Sequence, residues 1–382
     1  MRTFGYGFSG VLLGVYLIFL GGGDTAVFAS LGLSLASGAV LNIVVGRYGD
    51  RFGRRRSMAL FGGLMAVAGT VLAVAPDFTW ALLALAMGAL SPTGTEVSPF
   101  LSVEQSIVAD VAPAGKRTRA YATYNLAGSL AAAAGALASG LPTLLHGAAP
   151  VTAEPLRPMF LFYALLGIVA IALALSLPAS VELQRTGTRR PLTAASRSRV
   201  TRMASLFAVD SFAGGLVVQS FIALWFYRTY PESRAVLPAV FFLAGVLSAF
   251  SFPIAARLGE RFGLLETMVF SHIPSSVCLI LMPLLPGFLP ALAAFLVRMS
   301  LSQMDVPTRQ AYLAGIVGPE ERTAANAVTN TARTVSQAAG PFTASALVAV
   351  ALSVPFILGG SLKIVYDLSM YSTFRKIRPD GL

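Results

Sequence analysis

Apolar residues run through this chain in stretches of about 20 or more, each closed by charged residues, glycine or proline. They fall at about 3–21, 25–46, 57–76, 79–109, 118–145, 157–178, 203–227, 235–256, 266–285, 288–316, 323–349 and 352–373. An α-helix rises 1.5 Å per residue, so roughly 20 apolar residues match a hydrocarbon core about 30 Å thick. The pattern predicts an all-α membrane protein with 12 transmembrane helices. The first stretch, with Arg2 before it and small residues ahead of Ser30, imitates a secretory signal peptide; the apolar segments behind it make it the first span instead.

Composition narrows the class. The 382 residues have a mean hydropathy of +0.73, with 55% hydrophobic and 12% charged. A soluble globular chain carries about 25% charge and a disordered one fewer apolar residues, so both are excluded. A net charge of +11 would point to nucleic acid in a soluble protein. Here the charges sort by loop. One side of the alternating topology holds Arg47, Arg51, Arg54, Arg55, Arg56, Lys116, Arg117, Arg119, the Arg-rich segment after Glu182, Arg257, Arg261, Arg322, Arg375, Lys376 and Arg378. The other holds Arg157, Arg228 and Arg234. Basic loops stay in the cytoplasm, which places both termini there and leaves no role for nucleic acid. Trp80, Trp225, Tyr227 and Tyr230 fall at predicted outer ends, as interfacial aromatic belts do.

Chemistry is scarce. One cysteine, Cys278, and two histidines, His146 and His272, provide no disulfide framework, zinc site or acid–base centre, so neither an enzyme nor a cofactor is expected. Gly5, Gly7 and Gly10 spell a dinucleotide-type glycine pattern, but no strand precedes them and they lie inside a span. None of the three lysines, Lys116, Lys363 and Lys376, sits in a phosphate-loop context, which excludes ATP-driven pumping by this chain. Arginines outnumber lysines by 25 to 3, as in bacterial genomes of high G+C content.

The chain repeats itself. Residues 46–58 (GRYGDRFGRRRSM) and 256–268 (ARLGERFGLLETM) align without gaps, each at the inner end of a second helix; residues 3–17 resemble 211–225, and Glu104-Gln105 aligns with Arg309-Gln310. Two homologous six-helix halves, 1–181 and 203–382, are predicted on either side of a polar linker at 182–202.

Residues 46–58 resemble the signature loop between helices two and three of the major facilitator superfamily, through Gly46, Asp50, Arg51, Gly53, Arg54 and Arg55; Tyr48 and Gly49 depart from the usual Leu and Ala. With 12 helices, a central linker and a degenerate second copy, the resemblance covers essentially the whole chain. It implies two pseudo-symmetric bundles, a gating loop whose arginines reach Asp110 at the end of helix four, and a central cavity lined by helices one, four, seven and ten. A plainer role for the loop is that of a solvated basic segment that only sets topology.

Charges inside the spans complete the candidate site. Glu96, Glu104, Asp210, Arg298, Asp305, Arg309, Arg333, Lys363 and Asp367 lie in apolar segments, where each ion costs at least about 3 kcal/mol unless it is paired or hydrated. Arg298, Ser302, Asp305 and Arg309 recur on one helix face. Two pairs four residues apart, Asp305 with Arg309 and Lys363 with Asp367, can neutralise each other within a helix, and the second pair is expected to do only that. Pro92, Gly94 and Pro99 break helix four around Glu96, which has no base near it in its own helix and is predicted to carry a proton, followed by Asp210. The arginine that the family usually places on helix four is absent, since Leu85, Ala86 and Met87 precede Gly88.

The expected function is alternating-access transport of a small organic solute by a monomer in a bacterial inner membrane, with protons exchanged for substrate. Gly128, Gly135, Gly140 and Pro142 on helix five partly match the antiporter branch and suggest efflux. The alternatives are uptake of an organic anion held by Arg298, Arg309 or Arg333, and a non-transporting receptor. A reporter active only outside the cytoplasm, fused after Leu382, is expected to give no signal; activity there would overturn the helix count or its orientation.

Overall fold

The computed structural model describes residues 1–94, 100, 103–104, 107, 117–147, 151–178, 181–182, 192–231, 234–318 and 321–377, with backbone alone at 45–51, 117–122, 195, 314 and 322–323. The described residues are overwhelmingly helical and include no strand. The helices are α1 (Arg2–Phe19), α2 (Asp24–Phe52), α3 (Arg54–Val74), α4 (Phe78–Ala86), α5 (Arg117–Ala138), α6 (Arg157–Ser176), α7a (Ala194–Leu216), α7b (Gln219–Thr229), α8 (Leu237–Phe262), α9 (Leu264–Leu281), α10a (Phe288–Leu301), α10b (Asp305–Gly315), α11 (Arg322–Val348) and α12 (Val354–Phe374). A short turn at Leu141–His146 follows α5, and Phe100, Val103, Glu104 and Ile107 are again helical beyond α4. These correspond one to one with the 12 predicted segments.

Among the described residues, eight of the segments are long and apolar enough to cross a membrane by length and composition. The other four have a physical reason for falling short. Segment four is broken after Ala86, and segment ten is interrupted between Leu301 and Asp305. Helices α11 and α12 are continuous but carry polar and charged residues that lower their mean hydropathy.

The contacts group the chain into two compact units, Met1–Arg185 with Val218–Gly245, and Thr186–Val217 with Val246–Leu382. The expected division at 182–202 differs from this in one stretch: α7b and the first turns of α8 pack with the first unit. The switch falls where α7 loses its helical backbone, at Val217 (φ −132°, ψ 67°) and Val218 (φ −73°, ψ 160°).

Packing within each unit follows the repeat. In the first, α1 lies along α5 and α3 along α6; in the second, α7a lies along α11 and α9 along α12. Glycines at matching positions let the first pair of each unit touch backbone to backbone. A Cβ at Gly7 would lie 1.9 Å from the Ala132 carbonyl oxygen, and one at Gly215 would lie 2.2 Å from that of Gln337. Residues 7 and 215 align in the repeat, as do 132 and 337. Without a hydrophobic force between helices in lipid, close backbone approach of this kind is what holds them.

Broken helices leave backbone groups that hydrocarbon cannot satisfy, so each break needs a partner. The Ser220 amide at the start of α7b donates to the Pro92 carbonyl in the interrupted fourth segment, at 3.0 Å, and the Ser220 hydroxyl donates to the Gly10 carbonyl of α1 at 3.0 Å. Two defects thereby satisfy each other.

Gly53 (φ 91°) and Gly263 (φ 101°) make the same tight turn, into α3 and α9 respectively, a left-handed conformation open to glycine. Glu182 caps α3, accepting from the Arg54 amide at 2.7 Å and the Arg55 amide at 3.2 Å. Glu321 performs a related task for α7a, accepting from the Thr193 amide and the Ser196 hydroxyl, each at 2.5 Å. Those two donors hold the Glu321 carboxyl below its usual range.

Gly340→Ala tests the close packing. Its Cβ would lie 2.3 Å from the Gly215 backbone, whereas a Cβ at Gly63 meets nothing within 4 Å. The expected outcome is a loss of about 1–3 kcal/mol and a lower thermal midpoint in detergent for Gly340→Ala, with Gly63→Ala neutral or slightly stabilising. Equal midpoints would mean that α7a and α11 are not in backbone contact.

Candidate functional site

The second unit buries a connected set of charges. Asp210 lies on α7a, His272 on α9, Asp305 and Arg309 on α10b, and Lys363 and Asp367 on α12. All six are buried, with Asp367 fully enclosed. Asp210 is the hub: Lys363 Nζ lies 2.5 Å from its Oδ1, Arg309 Nη1 3.8 Å from its Oδ2, and His272 Nε2 3.8 Å from its Oδ1. Arg309 also pairs with Asp305 at 2.5 Å, one turn earlier on the same helix. The other imidazole nitrogen, His272 Nδ1, is 3.0 Å from both carboxylate oxygens of Asp367.

Local sequence explains why these groups converge. Lys363 and Asp367 are four residues apart, so they share one face of α12, and that face lies against α9 and α7a. Aromatic side chains wall the cluster: Tyr366 packs edge-on to both His272 (6.1 Å) and Phe207 (6.4 Å), and the Arg309 guanidinium lies over the Phe207 ring at 5.3 Å. Toward the linker end the wall continues into an apolar core of Met203, Met268, Tyr312, Met370 and Phe374. Low dielectric strengthens every pair inside such a wall and makes any unpaired member costly.

The first unit carries a smaller counterpart. Arg2 of α1 forms an ion pair with Glu104, its Nη2 donating at 2.9 Å to Oε2, and the Tyr124 hydroxyl of α5 donates to the same oxygen at 2.5 Å. The Arg2 guanidinium lies over Phe100 at 4.6 Å. In the repeat, Arg2 occupies the position of Asp210, and Glu104 that of Arg309. The two units therefore place an ion pair at equivalent positions with the charges exchanged.

Several sequence expectations change at this point. Lys363 and Asp367 do not neutralise each other within α12; each turns to a different helix, Lys363 to Asp210 and Asp367 to His272, because partners on α7a and α9 are nearer. Asp305 and Arg309 do pair within their helix. Asp210, expected after Glu96 as a proton carrier, is a counter-ion shared by two cations. Arg54 donates to the Val181 carbonyl at 3.1 Å and Arg55 to that of Leu175, while Glu182 caps both amides. Glu96 and Asp110 lie outside the described residues, as do the side chains of Asp50 and Arg51 and, at Gly46, everything but the backbone. The sequence assigns no site role to His272, Tyr366, Arg2 or Tyr124. A polar residue in an otherwise apolar segment was the available signal for His272.

Comparison with known proteins places this arrangement. A sequence profile of the Major Facilitator Superfamily matches residues 2–341 and, a second time, 204–380. The uncharacterized membrane protein YJR124C of Saccharomyces cerevisiae is 25% identical over 410 aligned positions, spanning 98% of this chain and 92% of its own. Among solved structures, the nucleoside transporter NupG superposes with a TM-score of 0.73 at 12% identity, covering 98% of this chain and 97% of its own. A D-xylose–proton symporter does so with a TM-score of 0.72 at 15% identity, covering 97% and 94%.

A double-mutant cycle tests the hub. Asp210→Asn leaves Lys363 without its acid and Lys363→Met leaves Asp210 with only the more distant Arg309, so each is expected to cost about 3–5 kcal/mol, while the double variant recovers much of that loss. Thermal unfolding in detergent reads the cycle, and simple additivity would show the pair to be uncoupled.

Proposed function

The chain belongs to the major facilitator superfamily, and from that premise we propose that it is a secondary active transporter, moving a small organic solute by alternating access coupled to protons. The observation that carries the coupling is the position of His272 between Asp367 and Asp210. Among side chains, histidine changes charge nearest to neutrality. Counting the six touching groups, three carboxylates face two fixed cations, so a proton on His272 balances the cluster and its loss leaves one negative charge in excess. Asp210 feels that change directly, and it stands less than two turns before the point where α7 breaks. Proton binding can thereby bias the helix that switches between the two units.

The predicted setting is a bacterial inner membrane, with both termini and the segment 182–202 cytoplasmic and the protein acting as a monomer. The Arg-rich composition and the one-sided basic loops support it. Of the helix-five residues that suggest export, Gly135 is occupied by packing, since a Cβ there would lie 1.9 Å from the Phe4 carbonyl oxygen.

His272→Gln in proteoliposomes is the test, with a labelled solute chosen by thermal-shift screening of the purified protein. The variant is expected to lose accumulation driven by a pH gradient and to keep solute-for-solute exchange. Accumulation at the wild-type level would remove His272 from the coupling.

A further inference from the structure

Among the described residues, the ion pairs inside the second unit leave out two cations of the apolar segments, Arg298 and Arg333. Lys363 is taken by Asp210, Arg309 by Asp305, and Asp367 by His272. Arg333 of α11 is half-buried and donates to the Ser211 hydroxyl at 3.1 Å. Arg298, at the end of α10a, is only 9% exposed, and among the described residues it forms no ion pair. Its Nε–H is buried without a hydrogen-bond partner, and so is the hydroxyl of Ser302, itself 8% exposed. The two residues are one turn apart on the same helix face, joined by the Ser302 amide donating to the Arg298 carbonyl at 2.8 Å. They also stand at the interruption of segment ten, where Ser302 closes α10a before α10b begins at Asp305.

A guanidinium is never deprotonated in proteins, and burying it without a counter-ion is among the costliest arrangements a membrane protein can hold. Evolved interiors satisfy such groups; an orphaned donor beside a second orphaned donor at a helix break has the form of a receptor for something the protein binds. The charge balance says what. Arg298 and Arg333 added to the six touching groups set four fixed cations, Arg298, Arg309, Arg333 and Lys363, against three acids, Asp210, Asp305 and Asp367, among the described residues, so this wider set is positive whether or not His272 carries a proton. A single negative charge offsets the excess when His272 is neutral. A planar guanidinium fork and a hydroxyl one helical turn apart on the same face fit a carboxylate, whose two oxygens can accept from both.

We propose that Arg298 and Ser302 receive the carboxylate of a small monoanionic organic solute. The word solute rests on the transporter reading; the anion site does not.

The test uses the full-length protein purified in chloride-free buffer, with thermal unfolding followed against sodium benzoate, lactate, succinate, phosphate and chloride, and against neutral xylose and uridine. At least one monocarboxylate is expected to raise the midpoint. Its apparent affinity is expected to fall at least tenfold in Arg298→Gln and several-fold in Ser302→Ala. Without ligand, Arg298→Gln is expected to unfold at or above the wild-type temperature, because it removes an unpaired charge, whereas Arg309→Gln unfolds well below it. The proposal is overturned by an undiminished shift in Arg298→Gln, by no shift with either monocarboxylate, or by an equal shift with chloride. It is also overturned if ligand-free Arg298→Gln is as unstable as Arg309→Gln, which would make Arg298 a structural residue. Counterflow in proteoliposomes separates the two readings. Arg298-dependent binding without counterflow sinks the transporter and spares the site; counterflow of a neutral solute unaffected by Arg298→Gln does the reverse.

Discussion

Hydrocarbon does not solvate charge, and nearly every feature of the second unit answers to that constraint. Asp210, His272, Asp305, Arg309, Lys363 and Asp367 come from four helical segments, and none could be buried alone without a cost of several kcal/mol. Held together they are mutually satisfied, and they lock α7a, α9, α10b and α12 into one arrangement. A network of this kind contributes specificity more reliably than net stability, since an apolar cluster of the same volume could be as stable. In a chain with 12% charged residues, five of them are gathered with His272 into this one buried cluster.

The two units solve the problem unequally. The first pairs Arg2 with Glu104 and adds the Tyr124 hydroxyl to the same carboxylate. The second puts the opposite charges at the equivalent positions and surrounds them with a further lysine, a histidine, another pair of acids and two more arginines. Duplication kept the geometry while the charge pattern diverged.

Rigidity and discontinuity are also divided along the repeat. Close glycine contacts of α1 with α5 and of α7a with α11 make stiff pairs, because backbone-to-backbone packing has little room to relax. The breaks in segments four, seven and ten supply the points at which a helix can redirect. Each break is affordable only if its freed amides and carbonyls find partners, as Ser220 finds Pro92 and Gly10. Segment seven, running through both units, joins the stiff pairs to the charge network, with Asp210 on one side of its break and Ser220 on the other.

Class, helix number and internal repeat could be read from the sequence, because hydropathy over about 20 residues is a local property that the membrane enforces and the repeat is written in aligned residues. The family followed from Gly46, Asp50, Arg51, Gly53, Arg54 and Arg55. Which charges lay inside the spans was equally legible, as was the helix-ten face with Arg298, Ser302, Asp305 and Arg309. The choice of partners was not. Lys363 and Asp367 are ideally spaced to pair, and only the approach of α7a and α9 gives each a better neighbour. His272 looked like an isolated histidine until Asp367, 95 residues away, met its ring. Arg298, Arg309 and Arg333 are equivalent as buried cations in the sequence, and only packing pairs Arg309 with Asp305 and gives Arg333 the Ser211 hydroxyl. Pairing in a low-dielectric interior is decided by distances of a few ångströms between helices remote in sequence, and those distances exist only once the chain has packed.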